Sequence, residues 1–174
     1  FSATADEGST IKSGEANELE SIDLCSLAIE LGATFVARSF SGDAKQLVPL
    51  LSAAIRHKGT AIIDVISPCV TFANHDGSTK SYNYVKEHNV HLQELGFIQP
   101  TEEINIDYDE GETIDVNLHD GSHLVLHKLQ ADSHDLRNAG SAQSLLRQFR
   151  EQNKILTGLF YLNTDKPSLQ DTLH

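Results

Sequence analysis

Ile22, Leu24, Leu27, Ala28 and Leu31 recur at helical spacing, which predicts a short amphipathic helix with Ser21 as its cap and Gly32 just past its end. Cys25 falls inside it and reads as a small buried hydrophobe. A strand is expected from Thr34 to about Phe40, where Ser41-Gly42 breaks the pattern. Asp43 with Gln46 three residues on has the form of a capping box, and Leu47, Leu50, Leu51, Ala54 and Ile55 make one apolar face of a second helix that stops at Gly59. Pro49 lies within that face, so either it kinks the helix or the regular part starts later than Asp43. Thr60 to Ile66 is almost continuously apolar and β-branched, the pattern of a strand covered on both faces, and it ends at Ser67-Pro68. Helix, strand, helix, strand with short connectors is the unit of a parallel α/β sheet, although two strands are too few to stand alone.

The second half has a different rhythm. A short polar helix is expected over 78–87 and an extended linker over 89–100, with Leu92, Leu95 and Phe97 docked on the first half. Ile104 and Ile106, then Ile114, Val116 and Leu118, then Leu124, Leu126 and Leu129 alternate with polar residues and predict strands with one wet face. Glu110-Gly111 marks one turn and Asp120-Gly121 a hairpin. Ala142, Leu145, Leu146 and Phe149 define an amphipathic helix, Ile155 to Leu162 a last strand, and the tail from Asn163 reads as irregular. The chain therefore divides into a loop over 1–20, the closing part of a parallel-sheet α/β domain over 21–100, and an antiparallel hairpin region with a C-terminal helix and strand over 101–174.

Composition narrows the function classes. Of 174 residues 39% are hydrophobic and 22% charged, an ordinary soluble mix. No run approaches the roughly 18 apolar residues of a membrane span. Thirteen Lys and Arg against 25 Asp and Glu leave a net charge of -12, which repels nucleic-acid backbones. Two cysteines, Cys25 and Cys69, cannot form a disulfide framework, so a cytoplasmic setting is expected. The absence of any Met and the opening at Phe1 read as a piece of a longer polypeptide.

Several motifs carry candidate chemistry. Gly42-Asp43 starts like a Gly-Asp-Gly diphosphate and Mg²⁺ motif, but Ala44 stands where the second Gly would be, and helix capping by Asp43 is the better reading. Asp107 to Gly111 has calcium-loop letters with Gly one place early, which favours a solvated hairpin end. Gly77 to Ser81 has phosphate-loop letters without the spacing. His119, His123 and His127 surround or follow one turn, with no further ligand fixed beside them. Cys69 follows directly on a predicted buried strand, and ligands gather beyond the carboxyl ends of parallel strands, so a thiolate there could ligate iron or zinc.

The run Glu30 to Arg38 (Glu-Leu-Gly-Ala-Thr-Phe-Val-Ala-Arg), the run Ile63 to Phe72 (Ile-Asp-Val-Ile-Ser-Pro-Cys-Val-Thr-Phe), and the ending Leu156 to Asn163 with Asp165 to Ser168 resemble the β subunit of 2-oxoacid:ferredoxin oxidoreductases, most nearly the 2-oxoglutarate type. The three stretches stand in the family's order across nearly the whole chain, which is identified by them as similar to that subunit's C-terminal part.

The resemblance implies an α/β domain that binds thiamine diphosphate and Mg²⁺, and a [4Fe-4S] cluster with one ligand from the Ser-Pro-Cys position, here Cys69. It implies that the remaining cluster ligands, the metal motif and the diphosphate loop lie upstream of Phe1. Ser2-Ala3-Thr4 resembles the Ser-Pro-Thr that follows that loop, which makes Ser2 and Thr4 cofactor-adjacent; Ala3 and Ala5 depart from the family's Pro and Thr. The implied reaction is CoA-dependent oxidative decarboxylation of a 2-oxoacid with electrons passed through iron–sulfur to ferredoxin. The implied partners are an α subunit in a hetero-oligomer, ferredoxin and coenzyme A, and this piece alone is expected to be inactive, with no catalytic acid or base of its own. A reading of another class stands beside it: a non-catalytic module whose acidic hairpin region docks another subunit.

Overall fold

The computed structural model describes residue 18 and residues 21–67, 104–118 and 123–166. The expected helix at 78–87, the linker at 89–100 and the Asp120-Gly121 turn lie outside them. The described elements are α1 (Leu24–Glu30), β1 (Phe35–Phe40), α2 (Ala44–Arg56), β2 (Ala61–Ile66), β3 (Thr113–Asn117), β4 (His123–Lys128), α3 (Ala139–Glu151) and β5 (Ile155–Leu162). The five strands form one mixed sheet in the order β2-β1-β5-β4-β3. β1 and β2 run parallel, as do β4 and β5, whereas β1 with β5 and β3 with β4 are antiparallel. The parallel unit and the hairpin are both present as expected, and the C-terminal strand joins them.

Two features of α1 follow from local chemistry. Its N-cap is Asp23, whose carboxylate accepts a hydrogen bond from the Ser26 amide at 2.8 Å, so the cap lies two residues beyond the expected Ser21. Gly32 does take the left-handed conformation past the end, at φ 87°. In α2, Asp43 is the cap as read from the sequence, its side chain accepting from the Gln46 amide at 3.0 Å. The Gln46 side chain does not close the box, because it accepts instead from the Ser39 hydroxyl. The helix starts at Ala44 and runs through Pro49 to Arg56, losing only the bond that proline cannot donate to the Lys45 carbonyl.

Alternation along β1 sets the layers. Arg38 reaches Asp23 at the head of α1, while its neighbour Ser39 reaches Gln46 in α2. Successive side chains of a strand point to opposite faces, so α1 and α2 cover opposite faces of β1. α3 lies with α1, where Cys25, Ala28, Ile29, Val36, Ala142, Leu146, Leu156 and Phe160 form one core. A second core, centred on Phe40, Tyr108, Val116 and Leu126, closes the other end.

Three expectations need correction. β2 was expected to be covered on both faces, yet among the described residues it is an edge strand that is only half-buried, with Ile62 at 38% and Val65 at 39% exposure. The apolar face of α2 is likewise not interior: none of its residues is buried and Ile55 is 85% exposed. Ile104 and Ile106 are not in a strand; their segment is irregular, held by a bond from the Ile106 amide to the Gly42 carbonyl, and packs on Phe40. Alternation placed these side chains inward correctly, but among the described residues no strand pairs with this segment.

β5 makes its two pairings in succession. Ile155 to Thr157 pair with β4, and Gly158 to Leu162 pair with β1 across a register shift. At the junction Gly158 has φ 134°, and a Cβ there would stand 2.8 Å from the Leu129 Cβ. Both the backbone angle and the close approach demand glycine. Gly158→Ala is expected to destabilise the chain by about 2–4 kcal/mol, read as a drop in urea midpoint; an unchanged midpoint would mean that the junction relaxes freely.

Candidate functional site

The parallel strands β1 and β2 end side by side, where the Ser41 amide donates to the Ile66 carbonyl at 2.8 Å. Crevices beyond such carboxyl ends are where open α/β sheets bind ligands. Directly beyond β1 comes Gly42, where a Cβ would overlap the Ile104 carbonyl oxygen, and then Asp43.

Asp43 is wholly buried. One carboxylate oxygen accepts from the Gln46 amide; the other lies 2.7 Å from Lys128 Nζ, an ion pair that lacks aligned hydrogen-bond geometry. Lys128, itself buried on β4, also donates to the Tyr108 carbonyl at 2.7 Å and stands 4.2 Å from the centre of the Tyr108 ring. The Tyr108 hydroxyl shares a 3.0 Å hydrogen bond with Thr157 Oγ1. Burial pushes the phenol above its usual range, against the Thr157 bond and assisted by the Asp43 charge. The segment Asp107 to Gly111 does turn at Glu110-Gly111, but Tyr108 within it is core rather than solvated. Asp43 thus caps a helix and neutralises a lysine.

On the α1 side, Arg38 Nε donates to Asp64 at 2.8 Å and Nη2 to Asp23 at 3.0 Å, with Phe160 beneath the guanidinium. Arg38 and Asp64 are direct register partners. Burial would raise the Asp23 carboxyl, but the Arg38 charge and the Ser26 amide outweigh it and hold the group below its ordinary value. Cys25 sits beside this network with no exposed surface, and burial pushes its thiol up to about 12. It is the inert thiol the sequence suggested.

The remaining sequence candidates divide simply. Ser2, Thr4 and Cys69 lie outside the described residues, as do His119 and Gly77 to Ser81. His123 and His127 do share one face of β4, but four residues of strand put them about 13 Å apart, too far to share an ion. His127 stacks on Phe149 and bonds Thr113 at 2.7 Å, and His123 is 3.9 Å from Asp115. Among the described residues no three His, Cys, Asp or Glu side chains converge to hold a metal. Neither is any described helix long and apolar enough to cross a membrane. Sequence reasoning missed the roles of Arg38, Asp64 and Lys128. The signal was available: each is a charge on a strand face whose other residues are apolar, and Lys128 keeps the inward parity of Leu124 and Leu126.

With this geometry established, comparison with known proteins places the fold. The chain superimposes over 99% of its length, at a TM-score of 0.63 and 21% identity, on 44% of a chain of the 2-oxoglutarate:ferredoxin oxidoreductase from Magnetococcus marinus, solved with 2-oxoglutarate, coenzyme A and succinyl-CoA bound. Its fold is that of this α/β enzyme chain. In sequence it is 41% identical over 80 residues to a 2-oxoacid:ferredoxin oxidoreductase subunit beta of a Sulfolobus species, covering 42% of this chain and 26% of that one. It is 30% identical over 118 residues to the 2-oxoglutarate synthase subunit KorB of Methanocaldococcus jannaschii, covering 64% and 43%. No family model matches the chain. The resemblance to β subunits of 2-oxoacid:ferredoxin oxidoreductases is borne out by these relatives, and the chain spans less than half the length of each.

Two outcomes are expected from the charge networks. Lys128→Met leaves the Asp43 carboxylate buried without a counter-charge and should cost about 3–5 kcal/mol; adding Asp43→Asn should recover at least about 1 kcal/mol in urea unfolding, whereas strictly additive losses would show that the two side chains are uncoupled. The second outcome concerns pH. Because the folded Asp23 value is depressed, its contribution is complete above the unfolded value of about 3.9 and is lost as pH falls through the folded one. Asp23→Asn should lower the thermal midpoint at neutral pH and flatten its fall below about pH 4; an unchanged acid limb would remove Asp23 from that role.

Proposed function

We propose that this chain is part of the β subunit of a 2-oxoacid:ferredoxin oxidoreductase that carries out CoA-dependent oxidative decarboxylation of a 2-oxoacid, with 2-oxoglutarate the favoured substrate. The observation that carries the reading is the identity of the chain to curated β subunits over 80 and 118 residues, which stands beside the three motif stretches of the sequence. In this reaction the 2-oxoacid loses CO₂, its carbonyl carbon gives up an electron pair and bonds to the sulfur of coenzyme A, whose thiol proton is released, and the two electrons leave one at a time for ferredoxin. Thiamine diphosphate with Mg²⁺ supplies the electron sink for the carbon chemistry, and a [4Fe-4S] cluster the one-electron path. An α subunit completes the hetero-oligomer.

Cys69 is the proposed cluster ligand of this chain, and Ser2 and Thr4 are proposed to lie beside the thiamine diphosphate. The described residues bear on this through what they offer. Cys25 is buried with a thiol held protonated, unsuited to metal, which leaves Cys69 to supply a thiolate. Asp43 is committed to Gln46 and Lys128, in keeping with Mg²⁺ being held by residues outside this chain. β2 delivers the chain to Ser67, two residues short of Cys69, at the carboxyl end of the parallel pair. What this chain's own residues do there is anchor that strand end: Arg38 grips Asp64, and the Ser41 amide grips the Ile66 carbonyl.

The test is Cys69→Ala in the complete enzyme, with Cys25→Ala as control. Removing one sulfur opens an iron to water and oxidant, so iron content should fall and the reduced-cluster EPR signal should vanish or convert, while thiamine diphosphate still binds. Cys25→Ala should keep the signal and cost only about 1–2 kcal/mol of stability. An intact cluster signal in the Cys69 variant would defeat the assignment.

A further inference from the structure

Between the first half of α2, the turn at Glu110-Gly111 and the loop that follows β4 lies a groove of ≈ 830 Å³. Its floor is apolar, with Leu50, Leu129, Leu136 and Leu159 half-buried along it. Its rim carries the carboxylates of Asp107, Asp109, Glu110, Asp132 and Asp135. Among the described residues three cations line it; Lys128 is bound to Asp43 and Lys45 to Asp107, so of these three Arg137 stands against the other four acids. The walls are braced: Glu110 accepts from the Ala131 amide at 3.0 Å, the Gly111 amide donates to the Lys128 carbonyl at 2.8 Å, and a ring nitrogen of His134 lies 2.7 Å from the Phe160 carbonyl.

We propose that this groove docks a basic segment of a protein partner, with an apolar side chain seated on the leucine floor and Lys or Arg residues facing the rim. Charge selects the occupant. A surplus of carboxylates repels nucleotides, acids and acidic proteins and attracts cationic side chains. The floor selects a peptide over a bare cation, since four leucines offer nothing to an ion and much to a buried anchor. No three described carboxylates converge closely enough to chelate a metal, while the volume lies within the range that holds several side chains. The proposal is independent of the catalytic reading above.

The test uses the whole chain and a fluorescein-labelled peptide of alternating Leu and Lys as the probe, followed by anisotropy. Asp109→Lys with Asp132→Asn should weaken binding about tenfold or more. Asp115→Lys with Glu151→Gln makes the same change of net charge away from the groove and should weaken it less than about twofold. Leu50→Asn should cost about fivefold through the floor, and affinity should fall as salt rises from about 20 to 300 mM. Equal weakening by the two charge-changed pairs would reduce the effect to the bulk field of an acidic protein and overturn the proposal. So would spermine binding with the same dependence on Asp109, Asp132 and Leu50, since that would make the groove a small-cation site.

Discussion

Among the described residues, the hairpin strands β3 and β4 join β1 and β2 in the sheet through one strand. β5 binds β4 by its first three residues and β1 by the rest, and the change of partner is made at a glycine pressed against Leu129. The helices depend on the same strand, because the core that seats α1 and α3 is built on Leu156 and Phe160. Its pairing partners lie far earlier in the chain: Leu162 stands opposite Phe35. Such non-local pairing carries a loop-closure cost before any contact repays it.

Once β5 is seated, two buried cations lock the sheet to what surrounds it, one on each side of the junction. Arg38 ties β1, β2 and the head of α1 into one unit, and Lys128 ties β4 to the head of α2 and to the Tyr108 segment. Buried pairs of this kind contribute little net stability after desolvation, but an alternative packing that separates them leaves a charge stranded at a cost of several kcal/mol. They therefore act on register. Arg38 faces Asp64 across the parallel ladder, and a slip of one residue would turn Asp64 to the opposite face. The carboxyl end of β2 is held in place by that penalty.

The elements were legible where one period ran unbroken. β5 was read to the residue, both long helices were found, and the Asp43 cap was seen from Asp and Gln three apart. Errors arose where two signals competed. Ser21 and Asp23 are both good caps, and the choice went to Asp23 because Arg38, distant in sequence, holds its second oxygen. Ile104 and Ile106 alternate like a strand, but alternation reports which side chains go inward and says nothing about whether a neighbour is present to pair the backbone. The site was less legible. Cys69 stood out through its neighbours Ser67 and Pro68, whereas the ion networks needed register and crossover geometry that no single stretch of sequence contains.

Among the described residues, the two edges of the sheet are chemically opposite. β3 ends it on one side with Thr113, Asp115 and Asn117 outward, the polar and charged finish of an edge meant to stay in water. β2 ends it on the other with Ile62 and Val65 exposed. The helices on the two faces nearby add Leu27 and Leu31 from α1 and Val48, Leu51 and Ile55 from α2, all exposed among the described residues. Isolated exposed leucines need no explanation, but here apolar residues are exposed on the helices of both faces and along the strand between them. A strand of that composition is stable only when covered. The β-branched pattern of 60–66, which predicted an interior strand, was therefore a correct report of what the strand requires, even though the described residues leave it at the rim.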